Sequence, residues 1–495
     1  MRVLLDTNIL IETEGLVSPS GTLQKMFSTA EENNINFSTS GKSIDEISRH
    51  RDPKERQITL DKVGKYPVLV FNLAVSENFR NLIYPHTSPI TDRRPNHDVD
   101  DHMLFCVYKN AVHYLVTGDK GIHTKATRAG LQDRVFYIQE FLEFLEDKFV
   151  FTGVAADNQI EKLPLCEIEI KDPIFDSLRE DYDGFEYWFN DKARQGRDAW
   201  VIKNRDGILG ICIYDPNNID CENKMKLCTF KVGDDSRGNK IGELLLRQAI
   251  CFAYKNKISD LWVEVFKDKE NIIAWLESFG FGIISEKSRN GRKELKLKKV
   301  ISPPRGVCTR KNVLRKSIEH YPYWVKPPLT RVFLVPIQPG FVRNLFPDID
   351  SNSTQLSLNL PIENMPCGNA IRKAYVCKSA TRQARPGDLL LFYESGGRSD
   401  IVGLGMVEKT SVENQTENII SLIGKRSVYP KNEIDEKFDG RMSLVILFRY
   451  LFPIKPISLK QLGYLDLSAP QSITNVTNHY ATLEPLLLQD DISIN

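Results

Sequence analysis

The chain has no C-x-x-C pair among its nine cysteines, no window of eighteen uninterrupted apolar residues, no internal repeat and no low-complexity tract. The missing pairs argue against a disulfide framework and against zinc knuckles. The odd cysteine total fits a reducing compartment, so a cytoplasmic protein is expected. With no long apolar run, no membrane-crossing helix is expected. The opening stretch Met1 to Glu12 is too short and too acidic for a signal peptide. Net charge is nearly absent as well, at +1 from 66 basic and 65 acidic residues, which excludes a globally basic nucleic-acid coat.

What is present is the composition of an ordinary soluble protein, 41% hydrophobic and 26% charged over 495 residues, a length that calls for several domains. Strand and helix patterns fall into blocks at 1–150, 160–300 and 329–495, with a Pro-rich connector at 301–328. Charge is uneven. Thirteen basic residues from Lys287 to Lys326 face only Glu286, Glu294 and Glu319. That excess suits phosphate attraction, or else a solvated strand edge running into a charged linker.

In the first block short apolar strands alternate with helical patterns, which predicts a parallel α/β sheet. Asp6 follows the strand Arg2–Leu5, Glu46 lies in a predicted helix, Asp98 and Asp101 flank the start of another, and Asp119 follows the run His113–Thr117. Carboxylates just after parallel strands gather at the carboxyl edge of the sheet, where such folds place ligands. Several acids converging there need a cation between them. Oxygen-only donors select Mg²⁺ or Mn²⁺, which activate water and steady a phosphoryl oxygen. Asp also caps helices and opens turns, which accounts for Asp98 but not for four acids in register.

These contexts resemble the PIN-domain nucleases: strand–Asp–Thr–Asn, a helical Glu, Asp-x-x-Asp, then Thr-x-Asp. The resemblance implies an acidic core of Asp6, Glu46, Asp101 and Asp119, with Asp98 peripheral and Asn8 and Thr117 as orienting groups. His102 stands where that family usually has alanine.

The second block carries strand-like runs at Ala199–Lys203, Ile208–Tyr214, Met225–Val232 and Leu261–Phe266, and a helical pattern from Ile241 to Lys257. A glycine-rich turn from Val232 leads into that helix through Arg237, Gly238, Asn239, Lys240, Ile241 and Gly242. A turn opening into a helix N-terminus presents N–H groups and a favourable dipole to phosphate. With the later stretch from Asn271 through Ala274 to Phe281, the block is similar to the GNAT acetyltransferases. That resemblance implies acetyl-CoA as cofactor, held by Val232, Arg237 to Gly242 and Asn271. Two positions depart from the family: Lys240 stands where glycine is usual, and Leu276 stands where many members carry a tyrosine that protonates the leaving thiolate.

The third block is strand-rich, with runs at Arg331–Ile337, Ala374–Cys377, Asp388–Tyr393, Ile401–Lys409 and Ser443–Tyr450 separated by turns such as Arg385–Asp388. This predicts a small barrel. Arg372, Lys373, Lys378, Arg382 and Arg385 are its candidate RNA-binding residues. Tyr375, Phe392 and Tyr393 are candidates for base stacking, although alternation places at least one of the last two in the core. The pair of runs from Arg385 to Tyr393 and from Ile401 to Val407 resembles the central hairpin of ASCH and EVE domains, a PUA-like group associated with RNA.

The expected architecture is thus a multidomain α/β and α+β protein: a PIN-like parallel sheet, a GNAT-like mixed sheet and a PUA-like barrel. The expected activity is metal-dependent cleavage of RNA, with tRNA the leading substrate. By family analogy it belongs to a toxin or phage-defence system, in which an antitoxin or other regulatory protein would be a partner. The alternatives are acetyl transfer to an RNA-linked amine or a protein lysine, and a non-enzymatic RNA-binding scaffold.

Overall fold

Val3, Leu4 and Leu5 form an unbroken apolar run, as a strand covered on both faces requires, and all three are fully buried in strand β1 (Arg2–Leu5). The computed structural model describes residues 2–14, 20–32, 35–49, 52–69, 71, 73–84, 95–146, 160–204, 207–216, 223–233, 238–289, 291–347, 366–379, 383–396, 398–429, 431–465 and 467–487. Strands β2 (Asn36–Ser40), β3 (Val68–Leu69), β4 (Tyr114–Val116) and β5 (Val135–Phe136) complete a wholly parallel sheet in the order β3-β2-β1-β4-β5. The order turns back at β1. The crevice beyond the carboxyl ends of β1 and β4 is therefore the topological switch point. Helices α1 (Thr7–Glu14), α2 (Gly41–Ile47), α3 (Pro95–Tyr108) and α4 (Lys120–Arg128) start or pass beside it.

The second sheet has seven strands: β6 (Glu161–Pro164), β7 (Asp198–Lys203), β8 (Ile208–Asp215), β9 (Lys224–Val232), β10 (Asp260–Phe266), β11 (Gly282–Arg289) and β12 (Arg292–Val300). Their order is β11-β12-β10-β9-β8-β7-β6, with β9 and β10 the parallel pair. That pairing runs only from Lys224↔Asp260 to Leu227↔Val263, while both strands continue to Val232 and Phe266. The sheet splays open between them. Helices α5 (Ile241–Lys255) and α6 (Glu270–Ser278) follow β9 and β10. The lysine-rich stretch expected as a strand edge running into a linker forms the hairpin β11–β12. Strand β11 is exposed along its whole length, so it carries no burial alternation for a sequence reading to detect.

Residues 301–328 also depart from the expected linker. Helix α7 (Val313–Glu319) and the following Tyr321 and Trp324 are packed, and the two aromatic rings join a core that runs from Leu245 and Leu297 to Leu334 and Leu391. Lys299, fully buried, donates from Nζ to the carbonyls of Ile318 and Glu319 at 3.0 and 3.3 Å. Burial drives its ammonium well below the usual lysine range.

The third sheet contains β13 (Val332–Ile337), β14 (Arg372–Cys377), β15 (Leu389–Glu394), β16 (Asp400–Glu413), β17 (Ser443–Ser458) and β18 (Thr474–Asn475), in the order β14-β17-β16-β15-β13-β18. The long pair β16–β17 has three register shifts, which bend the sheet. The bend returns β14 toward β13, where Tyr375 donates its hydroxyl to the carbonyl of Pro336 at 2.6 Å. Phe333, Phe392, Phe448 and Tyr450 fill the interior. Phe392 and Tyr393 are both buried, so neither is placed to stack a base.

Candidate active sites and the domain junction

Asp6 leaves β1 at the switch point and is 5% exposed. Its Oδ2 accepts the Thr117 hydroxyl at 2.5 Å, and its Oδ1 accepts the Thr7 N–H at 2.6 Å. Thr117, at the end of β4, in turn accepts the Asp119 N–H on its Oγ1 at 2.9 Å. The strand ends are thereby locked together. Burial, reinforced by the charges of Asp119 and Glu46, pushes Asp6 up to about 6 against the hydrogen bonds of Thr117 and Thr7. Glu46 is brought in by α2, whose N-cap Ser40 accepts from the Ser43 N–H. Asp119 caps α4, accepting the Ile122 N–H at 3.0 Å, so its capping role and its place at the centre coexist. Asn8 is exposed beside Gly118.

Helix α3 distributes its acids differently from the sequence expectation. Asp101, 3% exposed, accepts Tyr84 Oη on both oxygens at 3.0 Å and Lys125 Nζ at 2.8 Å. Its charge is already matched inside the protein. Asp100, which the sequence reading passed over, lies within electrostatic reach of Asp6 and Asp119. Burial, with those charges and Asp101 and against Lys125, pushes it up to about 7. Asp98 is 54% exposed by side chain and pairs with Arg80 at 3.5 Å, outside the centre. His102 turns away, its Nε2 3.1 Å from the Phe71 carbonyl. Residues 101–107 of α3 are all buried, so the helix has no polar face by which periodicity could have distinguished Asp100 from Asp101.

Among the described residues no group of three or more His, Cys, Asp or Glu side chains stands close enough to hold a metal ion. The donor chemistry nonetheless fits a hard cation. Asp6 and Asp100 lie within electrostatic reach of other carboxylates, and burial raises both far toward neutrality.

The splay of the second sheet opens on a cavity of about 650 Å³, lined by Tyr182, Trp188, Phe230, Trp262, Glu264 and Ile272 among others. Next to it lie the expected cofactor residues. Val232 ends β9, Ile241 is core, and Gly242 packs on Trp275. Arg237 lies outside the described residues. Lys240 takes φ +59°, the left-handed conformation that explains why glycine suits this position, and its Nζ reaches Asp133 Oδ1 at 2.7 Å. Asn239 accepts Asn369 Nδ2 on its carbonyl at 3.0 Å, and a Cβ on Gly238 would stand 3.5 Å from Lys425 Nζ. Asn271 Oδ1 accepts the Thr124 hydroxyl at 2.7 Å. The side chains of Lys240 and Asn271 are thus engaged by the first domain, and Asn239 by the third.

Asp133, just ahead of β5, is where all three domains meet. Its Oδ2 lies 2.5 Å from Arg426 Nη2 of the third domain, opposite the Lys240 contact. Burial alone would raise this carboxyl, but Arg426 and Lys240 outweigh it and hold it well below the usual carboxylate range. Glu243 of α5 accepts the backbone N–H groups of Ile371 and Arg372 at 2.9 and 3.1 Å. Arg372 pairs with Glu408, and Arg449 donates to the Ser278 carbonyl at 2.9 Å. No sequence signal marks this junction.

Two of the expected RNA-binding residues are used inside the fold. Arg372 is buried in its pair with Glu408. Lys373 is 0% exposed, with Nζ donating to the carbonyls of Cys367 and Gly368 at 2.5 and 3.1 Å. Neither is available to a phosphate in this structure. Lys378 and Arg385 are exposed, and Arg382 lies outside the described residues.

A PIN-domain family model matches residues 2–121, and that of the acetyltransferase (GNAT) family matches residues 163–281. No curated protein matches the chain. Among solved structures, ASCH from Zymomonas mobilis is 16% identical, with a TM-score of 0.25 over 31% of this chain and 94% of its own. The IAA acetyltransferase from Bacillus cereus ATCC 14579 is 22% identical, with a TM-score of 0.23 over 28% of this chain and 97% of its own. The ribosomal-protein-alanine N-acetyltransferase from Brucella melitensis is 19% identical, with a TM-score of 0.24 over 29% and 99%. The chain thus carries a PIN domain at residues 2–121 and a GNAT-family acetyltransferase domain at residues 163–281, ahead of a strand-rich third domain.

Proposed function

We propose that the protein is a metal-dependent ribonuclease whose centre is Asp6, Asp100 and Asp119 with Glu46. The carrying observation is that Asp6 and Asp100 sit at the switch point of a parallel sheet and are pushed up to about 6 and about 7 by burial and by neighbouring carboxylates. Such a cluster gains most from a cation that restores the ionised forms. Mg²⁺ or Mn²⁺, when bound, supplies an activated water and charge stabilisation for phosphodiester hydrolysis. Thr117 and Thr7 orient Asp6, while Lys125 and Tyr84 hold Asp101, which fits a supporting place for Asp101 rather than a ligand's.

RNA is the proposed substrate, tRNA first among its classes, with Lys378 and Arg385 of the third domain meeting its phosphates. A role in a toxin or defence system, with a regulatory partner protein, rests on family resemblance alone. A cytoplasmic site is supported by the eight cysteines of the described residues, none of which is joined in a disulfide there. Among the same residues no helix is long and apolar enough to cross a membrane. The test is incubation of wild type, Asp6→Asn and Asp100→Asn with total tRNA in Mn²⁺, Mg²⁺ or EDTA. Discrete fragments that require metal and disappear in both variants are expected. Cleavage that survives EDTA or both substitutions refutes the reading.

A second reading, acetyl transfer, is favoured by one observation, the aromatic-lined cavity in the splay between β9 and β10. Its acceptor would be an RNA-linked amine or a protein lysine. Leu276, which lines the cavity, has no ionisable group to protonate a leaving thiolate. Transfer of radiolabelled acetyl from acetyl-CoA to tRNA or to a lysine peptide tests this reading, and no label on either acceptor would end it.

A further inference from the structure

Lys240 combines two features that need a common cause. It holds a left-handed backbone, at φ +59°, a conformation that disfavours lysine relative to glycine. Its side chain is spent on Asp133 of another domain, at 2.7 Å. On the other side of that carboxylate, Arg426 is almost fully buried. Its Nη2 stands 2.5 Å from Asp133 Oδ2, yet its Nε has no hydrogen-bond partner among the described residues. Lys425 adds a further ammonium beside Gly238. Three cations therefore converge at the N-terminal end of α5, a fifteen-residue helix whose dipole also favours negative charge there. Asp133 lies between Lys240 and Arg426, and the carboxylate of Glu243 stands 4.0 Å from the Lys240 ammonium.

We infer that this junction is an anion site held closed by Asp133, and that the diphosphate group of a small nucleotide ligand such as a CoA thioester displaces that carboxylate when it binds. The argument is one of matched chemistry. A guanidinium presenting Nε and Nη2 together takes two oxygens of a phosphate better than one carboxylate oxygen at a poor angle. The unused Nε is the donor that the present arrangement leaves over. Residues of all three domains meet at the site. Displacing Asp133 also breaks a contact that ties the first domain to the other two. Asp133 lies five residues beyond the end of α4, the helix that Asp119 caps and that Thr124 fastens to Asn271. Ligand binding and closure of this junction are then mutually exclusive, each shifting the population of the other.

The test is titration calorimetry of the full chain, wild type beside Asp133→Asn, with acetyl-CoA and separately with inorganic pyrophosphate. Both ligands are expected to bind Asp133→Asn at least about tenfold more tightly than wild type, because the internal competitor has lost its charge. Equal affinities in the two proteins, or binding to neither, overturn the inference. A gain with acetyl-CoA but not with pyrophosphate places the competition away from the phosphates and also overturns it. Should Asp133→Asn fail to fold, hydrogen exchange of the wild type decides. Faster exchange of residues 120–134 at saturating acetyl-CoA supports displacement, and unchanged exchange refutes it. None of these readouts depends on nuclease activity.

Discussion

Lys125 Nζ lies 2.8 Å from Asp101 Oδ1 and 3.7 Å from Asp100 Oδ2, so one ammonium bridges two consecutive carboxylates of α3. Burial works against that ammonium, but Asp101, Tyr84 and Asp100 more than compensate and raise it above the ordinary lysine value. Asp101 cannot recruit water in exchange, since it is almost fully buried. Lys125→Met is therefore expected to destabilise the first domain by about 3–5 kcal/mol, the usual cost of stranding one member of a buried pair. Lys125→Met combined with Asp101→Asn should recover most of that loss. Urea unfolding of the four proteins measures the coupling, and a double variant no more stable than Lys125→Met alone would contradict it.

Asp6 has the opposite electrostatic character, a carboxylate short of positive charge. Its native value is raised from 3.8 to about 6, so the native state binds a proton that the unfolded chain has already lost between those limits. Stability therefore falls as pH rises through that window, by up to roughly 3 kcal/mol at pH 7. Asp6→Asn removes this dependence. In EDTA its stability relative to wild type should increase from pH 4 to pH 7, and Mn²⁺ should shrink the difference at pH 7 by favouring ionised Asp6. Urea midpoints at pH 4, 5.5 and 7 provide the check. A difference that is constant or shrinks with pH in EDTA rules this account out.

These two acids show where sequence reading succeeds and where it stops. Asp6, Thr117 and Asp119 were legible because each lies directly after a short apolar strand, and a parallel sheet sends all such positions to one edge. The different surroundings of Asp100 and Asp101 were not, because they depend on the azimuth of a helix buried on every side over residues 101–107. Strands β7 to β10 and β13 to β16, and the first half of β17, coincide closely with the apolar runs, whereas β6 and β18 carry no such run. The hairpin β11–β12 was met only as a possible strand edge, and the packed segment around Tyr321 and Trp324 was not seen, since the prolines and basic residues of 301–328 gave the signature of a linker. The contacts of Asp133 with Lys240 and Arg426 join residues more than a hundred positions apart, and no local pattern encodes such a meeting.

The corrected placement of the third domain's cations separates two effects that a sequence reading would merge. Lys373 serves the fold, through its hydrogen bonds to Cys367 and Gly368, whereas Arg385 is exposed. Lys373→Met should lower the unfolding midpoint while leaving the salt dependence of RNA binding unchanged in whatever protein remains folded. Arg385→Ala should leave stability within about 0.5 kcal/mol. It should weaken binding across RNA sequences alike and reduce the salt slope by about one. Fluorescence anisotropy with a labelled tRNA, titrated at several salt concentrations, distinguishes them. A changed slope in Lys373→Met, or none in Arg385→Ala, would remove the third domain from the RNA interface as proposed.

The seam between the second and third domains makes a sharper claim about cooperativity. Gly280 adopts φ +86°, and a Cβ there would overlap the backbone carbonyl of Ile318, which cannot yield as a side chain would. The same turn receives the buried Lys299 ammonium, and Tyr321 just beyond it donates its hydroxyl to the carbonyl of Tyr450 at 2.6 Å in β17. Because the apolar core continues through this seam without a break, residues 160–487 should unfold as one unit rather than as two domains on a linker. Gly280→Ala combines left-handed strain with a backbone clash, so a loss of at least about 2–3 kcal/mol is expected, expressed across that whole unit. In scanning calorimetry the substitution should lower a single shared transition, followed in parallel by hydrogen exchange in β10 and in β17. If exchange accelerates in β10 while β17 keeps its wild-type protection, the seam does not couple the domains, and 301–328 acts as the linker that its composition suggested.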